Sequence, residues 1–413
     1  MSVYLLATLD TKGPDAAFVR DRLRALGIAV TVVDTGCLGE PAWAGDIPRE
    51  TVFQAGGTTL QAVRERNDRG EAVTRAAAGA AQLVTAAFAR GQVGGVLGLG
   101  GSAGTTIGTT AMRALPIGVP KLMVSTLASG QVRQYVGDKD LVMLNSVVDI
   151  AGINRISRRI LSNAAAAMAG MVQHRVEETA VDRPVVAATM FGVTTPCVSR
   201  AREVLEAAGY EVLVFHAVGS GGRAMESLIA DGLIAGVLDI TTTELADELV
   251  GGILTAGPDR LTAAARCGVP QVVSVGALDM VNFGPPETVP AQFRGRRFYQ
   301  HNPTVTLMRT TPEENAQLGA EIGRKVSAAR GPALLLVPLR GVSAIDRAGQ
   351  PFEDPAARQA LYDGIRQHHG AVELLELDQH INDPEFAETA ARKLLDMMRG
   401  RAVDDGRRVA ERK

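Results

Sequence analysis

A short β-branched run, a turn rich in Gly, Ser and Thr, and an alanine-rich stretch at helical spacing follow one another along most of this chain. Residues 3–7 predict a strand. Residues 15–26 predict a helix, with Phe18, Val19, Leu23 and Leu26 near one face. A strand over 28–33, a helix over 74–90, a buried strand over 95–99, a helix over 105–115 and a strand over 121–125 follow. Parallel strands need long crossovers, and helices of this length supply them, so the alternation predicts an α/β fold whose mostly parallel sheet is covered on both faces.

The pattern then restarts. Val3-x-x-x-Ala7-Thr8 is echoed by Val185-x-x-Ala188-Thr189, and Gly27-Ile28-Ala29-Val30 by Gly209-Tyr210-Glu211-Val212. Gly95-Val96-Leu97 is echoed by Gly236-Val237-Leu238, and Gly118-Val119-Pro120 by Gly268-Val269-Pro270. The order of these echoes predicts two halves related as a distant internal duplication. At about 100–200 residues per domain, two domains also suit the length. They are expected over 1–180 and 184–400, with a helix over 161–176 and a polar linker at 177–183. The second half should end with a strand at 333–337, a loop to about 355, a helix, a strand at 372–377 and a helix at 384–398. Residues 401–413 are expected to fray.

A net charge of −2 gives no reason to expect nucleic acid or an anionic membrane as a partner. Cys37, Cys197 and Cys267 form neither a CxxC pair nor a zinc spacing, which fits a reducing, cytoplasmic location. The first residues lack a basic segment followed by a long apolar one, and no stretch is apolar enough to span a membrane.

The strongest local signal is Gly98-Leu99-Gly100-Gly101-Ser102-Ala103-Gly104-Thr105-Thr106, between a predicted strand and a predicted helix. Gly98, Gly100, Gly101 and Gly104 allow a sharp turn and close approach of a ligand. Free N–H groups at a helix start favour phosphate, and Ser102, Thr105 and Thr106 add hydroxyls. The run fits a loose dinucleotide pattern, yet the next strand ends Ser125-Thr126 without an acid for a ribose, which argues against NAD. The GKS or GKT of a Walker A loop is absent. A tight turn that binds nothing is the competing reading.

Two further loops support a nucleotide cleft. In Thr8-Leu9-Asp10-Thr11-Lys12-Gly13, Thr8 and Thr11 offer hydroxyls, Lys12 a phosphate partner and Asp10 a magnesium or ribose contact. A helix cap with a solvated lysine would explain that loop equally well. Ser125-Thr126-Leu127-Ala128-Ser129-Gly130 follows the next strand, and Ser125, Thr126, Ser129 and Gly130 join the candidates.

The C-terminal half carries more reactive residues at strand ends. His216 leads into Gly219-Ser220-Gly221-Gly222-Arg223, a glycine-rich helix start whose arginine suits an anion. Asp239 opens Asp239-Ile240-Thr241-Thr242-Thr243-Glu244, Asp279 lies in Gly276-Ala277-Leu278-Asp279, and His301 and His380 lie further on. His216 or His301 could move protons, with Arg223, Asp239 and Asp279 around a substrate. A hydrogen-bonded structural histidine is the alternative at each place. His368 and His369 read as solvated surface.

The runs Gly98-Leu99-Gly100-Gly101-Ser102, Gly152-Ile153-Asn154, Thr189-Met190-Phe191-Gly192-Val193-Thr194-Thr195-Pro196-Cys197 and Asp239-Ile240-Thr241-Thr242-Thr243-Glu244 resemble the Tm-one-like ATP-binding family. So do Ser274-Val275-Gly276-Ala277-Leu278-Asp279-Met280-Val281-Asn282-Phe283-Gly284-Pro285 and His380-Ile381-Asn382-Asp383. That family contains a plant tobamovirus-resistance protein and many bacterial proteins, and the resemblance covers nearly the whole chain. It implies two Rossmann-like domains, ATP with magnesium on the first, and a homodimer. Some plant members carry a further TIM-barrel-like domain, so a separately encoded TIM-barrel partner is an expectation here. The resemblance supplies no reaction. The expected function is an ATP- and magnesium-dependent enzyme of phosphoryl-transfer type, acting on a small anionic metabolite in an interdomain cleft. A nucleotide-gated binding protein without turnover is the alternative, and an NAD-linked dehydrogenase a weaker one.

Overall fold

The computed structural model describes residues 1–174 and 183–410. All of the expected linker except Arg183 lies outside the described residues, as do residues 411–413 of the expected tail. The chain divides into two compact units, Met1–Glu178 and Thr179–Lys413.

The first unit runs β1 (Ser2–Ala7), α1 (Leu9–Ala25), β2 (Val30–Asp34), α2 (Arg49–Ala55), α3 (Leu60–Arg66), α4 (Arg69–Ala89), β3 (Val93–Gly100), α5 (Ser102–Arg113), β4 (Lys121–Ser125), α6 (Arg133–Val136), β5 (Val142–Asn145) and α7 (Arg155–Gln173). The strands form one parallel sheet in the order β2-β1-β3-β4-β5. Successive strand side chains point to opposite faces. Val3, Leu5 and Ala7 therefore meet the apolar sides of α1 and α7, while Tyr4 and Leu6 meet those of α2, α4 and α5. Burial on both faces explains why β3 is buried along its whole length. Helices α2 and α3 have no counterpart in the expected pattern. At seven residues each they are too short for periodicity to register, and they sit beside caps, Thr59 accepting from Ala62 N–H and Asp68 from Glu71 N–H.

The second unit runs β6 (Val185–Met190), α8 (Thr195–Ala207), β7 (Glu211–His216), α9 (Ser220–Ala230), β8 (Gly236–Thr241), α10 (Glu244–Val250), α11 (Ala263–Cys267), β9 (Gln271–Gly276), β10 (Met280–Phe283), β11 (Phe298–Asn302), β12 (Val305–Arg309), α12 (Pro312–Ser327), β13 (Ala333–Pro338), α13 (Pro355–His368), β14 (Glu373–Leu377) and α14 (Pro384–Ala410). Six strands form a parallel sheet in the order β14-β13-β9-β8-β6-β7. Helices α8 and α14 cover one face through Cys197, Ala201, Leu205, Phe386 and Leu394. The other face is covered by α9 and α11, and by α12 with α13. An antiparallel sheet in the order β10-β12-β11 is inserted after β9, a feature absent from the expected pattern. Helix α14 continues past the expected end at 398, to Ala410.

Both units are Rossmann-like and mostly parallel. The echoed segments fall on β1 and β6, β2 and β7, β3 and β8, and the starts of β4 and β9, which hold matching places in the two sheets. In each sheet the order reverses beside the first strand of the unit, between β1 and β3 and between β6 and β8. Open α/β sheets bind ligands at the carboxyl ends of strands flanking such a reversal. Among the described residues no helix is long and apolar enough to cross a membrane.

Candidate functional site

In the first unit the reversal opens into a cavity of about 590 Å³, within the usual range for small-ligand sites. Its floor is the turn from β3 into α5. Gly101 is the N-cap of α5 without a side-chain cap, and the first turn of the helix carries no acid. Among the described residues the N–H groups of Ser102, Ala103 and Gly104 find no acceptor, so the positive end of a twelve-residue helix faces the cavity without a side-chain partner there. Thr8, Thr11 and Ser102 add hydroxyls, and the Thr8 and Thr11 Oγ1 atoms are bonded to each other at 2.7 Å. Opposite this polar end, Val63, Ala72, Val73, Ala76 and Ile107 form an apolar wall.

Glycine is required here for approach rather than for φ. A Cβ on Gly100 would lie 2.8 Å from the Gly104 Cα, and one on Gly98 would lie 2.6 Å from the Met123 Sδ. Gly98 thus serves the packing of α5 on β3 and does not line the cavity. Of the expected binding residues, Thr8, Asp10, Thr11, Lys12, Gly100, Gly101, Ser102 and Gly104 line it. Thr105, Thr106, Ser125, Thr126, Ser129 and Gly130 do not. Thr105 is buried with its hydroxyl 2.6 Å from that of Ser125, and Thr106 bonds back to the Ser102 carbonyl at 3.0 Å. Those hydroxyls hold the turn together.

Asp10 is already engaged. Its carboxylate accepts from Leu38 N–H at 2.8 Å and Gly39 N–H at 3.3 Å, lies 3.8 Å from the Arg49 guanidinium, and its side chain is 2 % exposed. It fastens the segment after β2 over the cavity and is not an open magnesium ligand. Among the described residues no group of three His, Cys, Asp or Glu side chains could hold a metal. Asp34, at the end of β2, accepts from Leu9 N–H and Gly36 N–H and pairs with Arg49 at 2.8 Å, so it too is unavailable to a ribose. Lys12 is not solvated, since its ammonium donates to the Ile150 carbonyl. It sits at a non-helical kink (φ −124°, ψ 18°) just before Pro14, whose ring denies the preceding turn a regular helical path.

The sequence reading missed the far wall, which comes from residues 35–76: Thr35, Cys37, Leu38, Arg64, Asn67, Asp68 and Arg69 besides the apolar residues. Arg64 donates to the Cys37 and Gly39 carbonyls, while the exposed Arg69 has no acidic partner among the described residues. The Cys37 thiol is held above its ordinary range by burial and by the Asp10 charge, against the pull of Arg49, Arg64 and Arg69. The one available cue was the capping pattern at Thr59 and Asp68, which marks helix starts but not a wall.

The second unit closes its reversal with its own side chains. The Gly219–Gly222 turn at the start of α9, expected to take a substrate anion, takes Glu244: the Oε1 atom accepts from Gly219 N–H at 2.6 Å and Gly222 N–H at 3.1 Å. Arg260, fully buried, donates from Nε to Glu244 at 2.7 Å and from its two Nη atoms to Asp239 at 2.6 and 2.7 Å. Thr189 Oγ1 donates to Asp239 at 2.7 Å. Asp239 is therefore the anchor of an ion pair and not an open base. Arg223 donates to the Thr255 carbonyl at 2.9 Å. His216 ends the edge strand β7 with its ring 5.5 Å from that of Phe191, and His301 is exposed on β11 of the inserted sheet. His368 and His369 are half-buried, each with Nδ1 on a backbone carbonyl. No hydrogen bond or ion pair joins His216, Asp239, Asp279 and His301 to one another; each has its own surroundings.

Asp279 differs from the others. It is fully buried, Oδ2 accepts from Ser343 Oγ at 2.8 Å, and Oδ1 has no partner. Burial and then the nearby Asp346 charge push its carboxyl up to about 7. The Arg309 charge pulls it down, but less than burial and Asp346 push it up, and that guanidinium bonds the Phe352 and Thr310 oxygens, the Asp279 carbonyl and Asp346, not the Asp279 carboxylate. Ser343 links the site to His380, whose Nε2 bonds the Ser343 carbonyl at 2.9 Å and whose Nδ1 accepts from Asn382 N–H. Burial holds the His380 ring below its usual range.

Residues 1–177 match the N-terminal domain and residues 183–398 the C-terminal domain of the uncharacterised protein family UPF0261. A UPF0261 protein of Clostridium tetani is 50% identical over 398 residues, covering 96% of this chain and 98% of that protein. The UPF0261 protein RA0729 of Rhizobium meliloti is 49% identical over 393 residues, covering 94% and 97%. The ToMV resistance protein Tm-1(GCR237) of Solanum lycopersicum is 41% identical over 418 residues, covering 96% of this chain but 55% of the tomato protein. These matches bear out the resemblance read from the motifs, and the chain belongs to the UPF0261 family.

Proposed function

We propose that the first unit binds a nucleotide, ATP, in the cavity between the β1 and β3 turns. The observation that carries this reading is the open N-terminus of α5, with three N–H groups that meet no acceptor among the described residues and face a cavity of about 590 Å³ that also has an apolar wall. The N–H groups take phosphate oxygens, Arg69 lines the cavity as a cation with no acidic partner among the described residues, and the apolar wall takes the base. The donor set does not fit a magnesium ion held by the protein, because Asp10 is committed to Leu38, Gly39 and Arg49. ATP rather than NAD is favoured because β4, the strand after the glycine turn, ends Ser125-Thr126 without an acid for a ribose, and Asp34 at the end of β2 is bound to Leu9, Gly36 and Arg49.

Among the described lining residues no side chain is placed for proton transfer. Asp10 is tied down, Asp68 caps α4, and the Cys37 thiol is held up by burial. This favours a nucleotide-gated protein over turnover in the cavity itself. The second reading, ATP-dependent transfer to a small anionic metabolite, draws on Asp279, a buried carboxyl held near 7 at a strand end. Consumption of ATP in the presence of a metabolite separates the two. A cytoplasmic location and a homodimer belong to the same proposal; three free, widely separated cysteines suit the first.

Titration calorimetry with ATP, with and without magnesium, tests the site when run beside Gly101→Asp. A Cβ at Gly101 would meet only Thr126 Oγ1 at 3.6 Å and φ is −82°, so the variant keeps the fold while setting a carboxylate against the phosphates. Wild-type binding weakened at least about 100-fold in the variant, roughly 2.7 kcal/mol, is expected. Equal affinities would mean that the α5 N-terminus does not hold the phosphates.

A further inference from the structure

We propose that Lys12 is a latch between the cavity and the 146–153 loop: a polyphosphate in the cavity draws its ammonium off the Ile150 carbonyl and releases that loop. The inference rests on the reading of the cavity as a nucleotide site and specifies how occupancy would be signalled.

Lys12 faces both ways. It lines the cavity, and its ammonium donates to a carbonyl 138 residues away in sequence, in the connection between β5 and α7. Three residues on along α1, the fully buried Asp15 accepts from Gly152 N–H at 3.0 Å. A cation on a C=O and a carboxylate on an N–H thus grip the loop two residues apart. The loop needs gripping. Val147 is β-branched yet sits at φ +62° and is 70% exposed, a conformation that costs free energy and persists only where the surroundings impose it. Gly152 at φ +99° forms the other bend.

The exchange of partners favours the ligand. A charged phosphate oxygen is a stronger acceptor for an ammonium than a peptide carbonyl. The move needs little backbone work, because Lys12 already stands at the kink before Pro14, outside the regular helix. Once Lys12 turns to phosphate, Ile150 loses its donor, and of the two grips from α1 only that of Asp15, whose Oδ1 has no partner, remains on the loop, beside the Ser146–Ser125 and Ser157–Gly152 bonds at its ends. The loop's strained Val147 can then relax.

Hydrogen exchange of the full chain, read on the peptide covering 146–153 with and without ATP, tests this, with calorimetry run in parallel on ATP and on inorganic tripolyphosphate. Exchange of the loop should rise about tenfold with ATP while peptides from β1 and β4 stay unchanged. Lys12→Met should exchange at the raised rate before any ligand is added, and ATP should add nothing further. ATP binding without a change at 146–153, or a Lys12→Met loop as protected as wild type, overturns the latch and leaves the nucleotide site standing. No binding of either ligand overturns both.

Discussion

Replacing Asp279 by Asn should remove part of the pH dependence of stability. The Asp279 carboxyl moves from an ordinary 3.8 up to about 7 in the folded chain. A carboxyl raised on folding binds its proton more tightly in the folded than in the unfolded state. Its contribution is therefore complete below about pH 4 and is lost as pH climbs through about 7. Each pH unit inside that window costs about 1.4 kcal/mol, so some 3 kcal/mol should vanish between pH 5 and 7. The cause is geometric: burial, an orphaned Oδ1, and Asp346 nearby, with Arg309 committed elsewhere. Asparagine keeps the acceptor for Ser343 but cannot ionise. Urea unfolding of wild type and Asp279→Asn at pH 5, 6, 7 and 8 is the assay. Asp247, raised to about 7 by burial, is present in both proteins, so its effect cancels in the difference. The variant should gain on wild type by about 3 kcal/mol as pH rises across the window, then run parallel above it. Curves parallel throughout would mean that Asp279 ionises freely in the folded chain and that its isolation has been misjudged.

Arg260→Leu should lower unfolding free energy by about 3–5 kcal/mol in the same assay, because Asp239 and Glu244 would be left buried without a counter-charge. A loss under 1 kcal/mol would show that solvent reaches the cluster. Gly79→Ala, which in an ordinary helix would stabilise by nearly 1 kcal/mol, should instead destabilise by at least about 1–3 kcal/mol and lower the melting temperature. A Cβ there would stand 1.9 Å from the Val52 carbonyl oxygen of α2. An unchanged or raised melting temperature would mean that α2 yields freely.

Much of the fold was legible because strand and helix periods are local. Lys121–Ser125 falls on β4 as read, and the strands over 3–7 and 333–337 lie within β1 and β13. What failed was either short or non-local. The α2 and α3 helices offer two turns each, too few for a period to show. The antiparallel insert depends on pairing Met280 with Arg309 and Phe298 with Met308, and nothing in either segment names its partner. At the site, the polar floor of the cavity was visible in the glycine and threonine turns. The wall from 35–76 was not, because its residues are ordinary until α3 and α4 bring them opposite the glycine turn. Asp239 and Asp279 look alike as acids at strand ends. Only the fold gives one an arginine and leaves the other an unpartnered oxygen.

The glycine turns at 98–104 and 219–222 show where that limit bites hardest. Each follows a strand and opens a helix, the first after β3 beside the reversal and the second after the edge strand β7, so sequence alone ranks both as anion sites. What separates them is one carboxylate 22 residues beyond Gly222. Glu244 reaches the second cradle because β8 delivers it there, and Arg260 makes its burial tolerable. A fully buried ion cluster adds little net stability over an apolar one, yet losing one member is costly. What the cluster secures is position: it fixes the starts of α9 and α10 and, through Glu226 on Leu261, Thr262 and Ala263 N–H, that of α11. The second unit has turned its reversal into a structural joint. The first, with no acid in the opening turn of α5 and Asp10 tied to Leu38 and Gly39, keeps its own turn open, with N–H donors that meet no acceptor among the described residues.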